Sequence, residues 1–151
     1  VCFLLSANLG EEPKPINRIA SGGELARIML AMKNVLAERD MVSTMVFDEV
    51  DSGVSGRAAG KVAEKMSDIA KTKQVFCVTH LPQTAAMADE QYLVEKKQRN
   101  GRTYTEVVRL DRKGRIAEIA RLTGGENITN TLLKGAEELL LAGEEYKKNR
   151  K

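Results

Sequence analysis

Two short apolar runs constrain the fold of this 151-residue chain more than any other feature of its sequence. Residues 43–47 and residues 74–78 are each too short for a helix, and a stretch long enough for a helix lies between them. Strands that are apolar along their whole length are typical of parallel sheets covered on both faces, and a helix usually connects such strands. The pair therefore predicts an α/β fold, a mostly parallel sheet flanked by helices.

The N-terminal part of the chain predicts a further strand and a helix. We expect a buried strand at residues 1–6, a loop at residues 8–19 and a helix that begins at Ser21 and ends near residues 38–40. The apolar residues of this helix recur at helical spacing, which predicts that the face they share is buried. They are Leu25, Ile28, Met29, Met32, Val35 and Leu36.

The remaining segments predict helices and an added β-hairpin. A helix is expected at residues 56–71, with Ser55 as its N-cap, and a short helix follows residues 79–82 and ends around Met87. Asn100-Gly101 lies between extended runs at 92–98 and 102–110, which predicts a hairpin with a type I′ turn. In the second helix Val62, Met66 and Ile69 should face inward, and the C-terminal helices should cover residues 115–122 and 128–148.

Composition places the chain among ordinary globular proteins. Hydrophobic residues make up 42% and charged residues 30%, which argues against wholesale disorder. No apolar run approaches the roughly 18 residues that span a bilayer. Cys2 and Cys77 lie in no metal-binding or disulfide pattern, so we expect neither a zinc site nor a disulfide. The expectation is a single domain over residues 1–151, in the cytoplasm.

The net charge of +3 is too small to predict nucleic-acid binding by itself. Residues 90–115 hold eight basic and four acidic side chains, a local excess of +4. A solvated hairpin face explains this excess most simply, and a surface that faces a polyanion is the alternative. Aromatic residues are only 4% with no Trp, so a base-stacking surface is not expected.

Charged and polar residues follow both apolar strands. Asp48-Glu49 follows the first strand and Thr79-His80 follows the second. In such sheets ligands bind beyond the carboxyl ends of the strands. Asp48 there could support Mg²⁺ on phosphates, through water, and Glu49 could deprotonate an attacking water. His80, the one histidine, could contact a terminal phosphate. A polar loop start and a structural histidine are the alternatives.

Ser21-Gly22-Gly23-Glu24 opens the first helix. Ser at the N-cap and Glu three residues later predict a capping box, and the same helix start could bind a phosphate. Thr123-Gly124-Gly125-Glu126 repeats the pattern, but it follows a helix that ends at Arg121-Leu122. We therefore expect a structural role there, with Gly124 as a C-cap.

Taken together and in this order, these motifs resemble the C-terminal lobe of an ABC-type ATPase head. Residues 21–25 match the ABC signature, residues 44–49 the Walker B strand with its catalytic Glu, residues 50–53 the D-loop and His80 the switch histidine. Glu24 stands where many transporters carry Gln. In this feature the chain resembles the SMC-like branch of chromosome maintenance and repair. The longer strings at residues 20–31, 47–56 and 78–83 resemble the RecN family of bacterial DNA repair proteins.

This resemblance implies a role in double-strand break repair and recombination, with ATP and Mg²⁺ held between two heads of a homodimer. Asp48 would support Mg²⁺, Glu49 would be the general base and His80 would contact the γ-phosphate. The signature residues would reach the ATP on the opposite head, Asp51 would communicate across the dimer, and Gln83 would lie near the same face. The signature residues concerned are Ser21, Gly22, Gly23 and Glu24.

The sequence departs from the family in having no G-x-x-x-x-G-K-[ST]. In the family a P-loop lobe and a coiled coil precede this region, so we expect that lobe, a second head and DNA as partners. We also expect negligible ATPase activity of this chain alone, no membrane association and a nucleoid-associated location. A transporter subunit, a vestigial interaction module and a nucleic-acid module based on the hairpin remain as alternatives.

Overall fold

The computed structural model of the protein describes residues 3–6, 10–16, 21–36 and 41–149. The chain divides into two compact units, residues 1–79 and residues 80–151. Each unit has its own buried cluster of apolar side chains. A single domain over residues 1–151 stays a prediction.

The first unit combines helices with two small sheets. Its elements are β1 (Leu4–Leu5), β2 (Lys14–Pro15), α1 (Gly22–Leu36), β3 (Thr44–Phe47), α2 (Gly56–Ile69) and β4 (Gln74–Cys77). The strand expected at residues 1–6 is described only as β1, whose two residues are exposed rather than buried. It pairs antiparallel with β2, which lies inside the expected loop. The predicted end of the first helix lies outside the described residues.

The predicted parallel strands are present, and they pair with each other. Strand β3 runs parallel to β4 in a two-stranded sheet, with Phe47 opposite Cys77. The expectation that both faces of these strands are buried is wrong. Val46 is 69% exposed and Phe76 50% exposed, because one face of the sheet packs on the unit's core and the other does not.

Helix α1 packs through the face opposite to the predicted one. Gly23 and Leu30 are its buried residues, and Leu30 joins the core with side chains of β3 and α2. Several members of the predicted apolar face are instead exposed: Leu25, Met29, Val35 and Leu36. The helical spacing of these residues marks an apolar face correctly, but it does not say what covers that face.

The core of the first unit lies between α1, α2 and the β3–β4 sheet. Its buried residues are Leu30, Met45, Val50, Val62, Met66 and Ile69. The inward positions predicted for the second helix are therefore confirmed. Ser55 occupies the N-cap of α2, but its side chain makes no capping hydrogen bond.

The second unit consists of three helices and a hairpin. Its elements are α3 (Pro82–Met87), β5 (Tyr92–Arg99), β6 (Arg102–Arg109), α4 (Arg112–Gly124) and α5 (Asn130–Asn149). Small side chains dominate its core, which allows the helices to approach closely: Ala85, Ala86, Ile119, Ala120, Ala136 and Leu140. None of the described helices is long and apolar enough to cross a membrane.

The turn of the β5–β6 hairpin confirms the type I′ prediction. Asn100 has φ 52° and Gly101 has φ 72°, and a type I′ turn requires positive φ at both central residues. The strands pair in register from Tyr92↔Arg109 to Arg99↔Arg102.

Candidate functional site

Two carboxylate residues follow the carboxyl end of β3. Asp48 and Glu49 directly follow Phe47, and both residues are exposed. Glu49 has φ 57°, in the left-handed region that non-glycine residues seldom adopt. Such strain concentrates at functional sites, where surrounding contacts hold it in place. Exposed carboxylate oxygens are also the donors that a hydrated Mg²⁺ ion takes.

Burial and hydrogen bonds within the first unit hold the residues after Glu49 in place. Val50 is fully buried and Asp51 is 1% exposed. The Thr79 hydroxyl, just beyond β4, donates a hydrogen bond to the Asp51 carboxylate. The amide of Ser52 donates to the Glu49 carbonyl at 3.0 Å. This loop is thereby tied to both strand ends.

The start of α1 forms the predicted capping box. The Ser21 amide donates to Glu24 Oε2 at 2.8 Å. The Glu24 amide donates to Ser21 Oγ at 3.4 Å. These bonds to Ser21, the backbone bond first, lower the pKa of the Glu24 carboxyl below its usual value. Ser21, Gly22 and Glu24 are exposed, so the helix start is open to a ligand.

Gly23 brings the start of α1 against the loop that follows Glu49. A Cβ added at Gly23 would lie 2.8 Å from the Ser52 carbonyl oxygen. The Arg27 guanidinium, one turn along the same helix, donates to that oxygen at 2.7 Å. Only a glycine allows this approach, and Arg27 then links the helix to the loop.

The helix start and the Glu49 carboxylate also lie near each other. The position of a Cβ on Gly22 would be 3.8 Å from Glu49 Oε2. The first unit therefore carries an exposed capped helix terminus, suited to an anion, beside an exposed carboxylate. The helix start fits the chemistry of a phosphate contact, and the carboxylate fits that of a metal or water contact.

Cys77 ends β4, next to the carboxylates. Burial, and then the charges of Asp51 and Asp48, raise the pKa of its thiol to about 12. The thiol is therefore protonated near neutral pH, which makes it a poor nucleophile. Its role is to pack against the core of the first unit.

His80 is the first residue of the second unit and is exposed. Gln83 lies in α3 and is partly buried. Both functional assignments stay predictions. Among the described residues no group of three or more His, Cys, Asp or Glu side chains is arranged to hold a metal ion.

The second copy of the signature pattern lies at a helix C terminus, as predicted. The capping residue is Gly125, with φ 77°, rather than the expected Gly124. The Gly125 amide donates to the Arg121 carbonyl at 2.8 Å. Helix α4 runs from Arg112 to Gly124, so it begins three residues before the expected range of about 115–122 and ends two residues after it.

Sequence reasoning missed Arg27 and Thr79. Arg27 lies four residues after Gly23, hence on the same side of the helix, and this spacing could have identified it. Nothing in the sequence indicates that Thr79 bonds to Asp51, because the two residues are 28 positions apart.

Comparison with known proteins finds relatives that are named DNA repair proteins. No family model matches the chain. It is 44% identical over 147 residues to the DNA repair protein RecN of Bacillus subtilis, covering 97% of this chain and 26% of that protein. It is 44% identical over 142 residues to RecN of Vibrio cholerae, covering 94% of this chain and 26% of the relative.

A solved structure shares the fold. It comes from work on ATP-driven dimerization and DNA-stimulated activation of SMC ATPases, with a TM-score of 0.52 and 23% identity. The match covers 78% of this chain and 70% of that chain. The predicted α/β class is thereby confirmed. The chain is similar in sequence to RecN and shares its fold with the solved SMC ATPase structure, and it spans about a quarter of the length of the relatives that it matches.

Proposed function

We propose that this chain is part of an SMC-like ATPase that acts in DNA repair and recombination. Its relatives are named DNA repair proteins, and the related solved structure concerns SMC ATPases. The observation that carries the proposal is within the first unit. There the capped helix start at Ser21 and the carboxylate of Glu49 are both exposed, so Glu49 is open to this head's nucleotide and the helix start to that of a second head.

The hydrolytic role falls to the residues after β3. Bound ATP with Mg²⁺ supplies the phosphoanhydride bond that water cleaves. Asp48 supports the metal through water, and Glu49 takes a proton from the attacking water as general base. His80 contacts the γ-phosphate. The loop hydrogen bonds of Ser52 and the burial of Val50 support this assignment, because they restrain the backbone of Glu49 on its C-terminal side.

The signature residues act on the nucleotide of a second head. Ser21, Gly22, Gly23 and Glu24 face the phosphates bound to the opposite head of a homodimer. The contact of Arg27 with Ser52 supports a link between this helix and the loop that carries Asp51, which communicates across the dimer. Closure of the heads on ATP then changes how the full-length protein engages DNA.

A P-loop lobe is the proposed partner of the first unit. The sequence contains no G-x-x-x-x-G-K-[ST], so the main phosphate cradle is supplied by other residues. The exposed apolar side chains support this partner, since contiguous apolar surface of this kind marks an interface. They include Val46, Phe76 and Val78 of the sheet, which are 69%, 50% and 62% exposed. The chain alone then has negligible ATPase activity, and the complete protein works in the cytoplasm on the nucleoid.

The Glu49→Gln variant of a full-length protein containing this chain tests the proposal. We expect it to bind ATP and to hydrolyse it at least about a hundredfold more slowly, the usual effect of removing a general base. Glu137→Gln, which changes an exposed carboxylate of α5, is the matched control and should hydrolyse ATP normally. Near-normal turnover by Glu49→Gln would refute the assignment of the base.

A further inference from the structure

The charge of the 90–115 segment is distributed unevenly in the structure. Four of its eight basic side chains are engaged in internal contacts. Lys97 forms salt bridges with Glu95 and Glu106, the two acidic residues of the hairpin. Arg109 forms a two-pronged salt bridge with Glu90, with N–O distances of 2.8 and 2.6 Å.

The other two engaged residues lie in α4. Arg112 pairs with Glu144 of α5 at 2.6 Å. Arg115 donates to the carbonyl oxygens of Ala88 at 2.7 Å and Asp89 at 3.2 Å. These four cations are therefore engaged in contacts within the second unit, and the excess charge of the segment lies on its other basic residues.

The excess is concentrated at the tip of the hairpin. Residues 96–105 contain Lys96, Lys97, Arg99 and Arg102 and no acidic residue. All ten residues are exposed. Within the described part of the chain, Lys96, Arg99 and Arg102 take part in no salt bridge. The hydrogen bond and the charge of Lys97 lower the pKa of Glu106, and the charge of Arg99 adds a smaller lowering.

The turn brings the two tip arginines together. Arg99 and Arg102 are directly opposite in the strand register, on either side of Asn100-Gly101. Lys96 lies opposite Thr105, on the other face of the ribbon. Cations thus occur on both faces of the tip. The tip also carries amide and hydroxyl groups, from Gln98, Asn100, Thr103, Tyr104 and Thr105.

We propose that the tip of the β5–β6 hairpin, residues 96–105, binds the phosphate backbone of double-stranded DNA. Arg, Lys, Thr, Asn, Gln and Tyr are the side chains that contact phosphates, and a two-stranded ribbon fits the major groove. An acidic protein surface fits less well, since the tip carries one aromatic side chain, Tyr104, and no aliphatic one for the apolar centre of a protein interface. The inference rests on the proposed role in DNA repair, and it names the surface involved.

The test measures binding of this chain to a fluorescein-labelled duplex by anisotropy, without nucleotide, over a salt series. The variant is Arg99→Gln with Arg102→Gln. Its matched control, Lys71→Gln with Lys134→Gln, removes the same charge at two exposed positions outside the hairpin sequence. Far-UV circular dichroism of all proteins verifies that they are folded.

The tip variant should bind about tenfold or more weakly at low salt. The slope of log K against log salt should fall by about 1.8, since each lost phosphate contact contributes about 0.9. The control should bind as the unaltered chain does. Equal losses in both variants, or no loss in the tip variant, would overturn the proposal.

Absence of DNA binding by the unaltered chain would also overturn the proposal, and would favour an acidic protein surface as the ligand of the tip. Because no ATP is present, these results do not depend on the assignment of Glu49. A failed ATPase test with intact DNA binding therefore separates the two proposals.

Discussion

The contact between Gly23 and Ser52 makes a prediction about the stability of the first unit. Gly23→Ala places a Cβ 2.8 Å from the Ser52 carbonyl oxygen and 3.0 Å from the Ser52 Cβ. The same atom would lie 3.2 Å from Arg27 Nη1, which donates to that carbonyl. The first two neighbours are a backbone atom and a short side chain, so neither can swing away as a long side chain does.

The expected loss of stability follows from two opposing effects. Inserting a carbon into a filled space destabilises a protein by about 1–3 kcal/mol. Replacing Gly by Ala in a helix stabilises it by up to about 1 kcal/mol. The net expectation for Gly23→Ala is a loss of about 1–2 kcal/mol in the free energy of unfolding of the first unit. At a urea dependence of about 2 kcal/mol/M, this lowers the midpoint by about 0.5–1 M.

Gly60→Ala is the matched control in the same unit. Gly60 lies inside α2, and a Cβ added there meets nothing within 4 Å. The control should gain up to about 1 kcal/mol. Hydrogen-exchange mass spectrometry across a urea series, read on peptides from α1 and α2, measures the local free energy of unfolding. A Gly23→Ala protein as stable as Gly60→Ala would refute the reasoning.

Two further predictions concern the α5 packing and the Cys77 thiol. Gly143→Ala should destabilise the second unit by about 1–3 kcal/mol, since its Cβ would lie 2.8 Å from the Ala86 carbonyl oxygen. At Gly135 an added Cβ meets nothing within 4 Å, so Gly135→Ala should stabilise the unit by up to about 1 kcal/mol. Thermal unfolding measures both, and equal shifts would contradict the packing of α3 on α5. Because burial raises the pKa of Cys77 to about 12, the thiol of a Cys2→Ser chain should react with iodoacetamide at pH 8 about a hundredfold or more slowly when folded than in urea. Equal rates would show that the thiol is not shielded.

The features predicted correctly from the sequence are those that a local sequence pattern determines. The capping box needs only Ser21 and Glu24, and the type I′ turn needs only Asn100 and Gly101. The parallel pairing of β3 with β4 also follows from a local pattern, an apolar strand on each side of a helix.

The features that were wrong depend on what covers a surface. Val46 and Phe76 are apolar, and their sequence pattern cannot distinguish a face covered within this chain from one that a partner covers. The same holds for Leu25 and Met29 of α1. The periodicity of these residues records that the face is apolar, while its burial depends on residues beyond the helix.

The charge of the hairpin shows the same limit at the level of side chains. Counting residues 90–115 yields an excess of +4 but no location for it. Only the strand register places Lys97 between Glu95 and Glu106 and leaves the tip to Arg99 and Arg102. The candidate site is similar, since Arg27 and Thr79 act through contacts to residues distant in sequence.

The central claim is that each catalytic site is shared between two heads. Mixing two inactive variants tests this claim most directly. In a full-length protein, Glu49→Gln lacks the base and Ser21→Arg blocks the signature. A mixed dimer contains one site with both residues intact. If heads exchange freely, half of the dimers are mixed and about a quarter of normal ATP turnover should return. Recovery near that level supports the account, and a mixture that remains as inactive as either variant alone would contradict it.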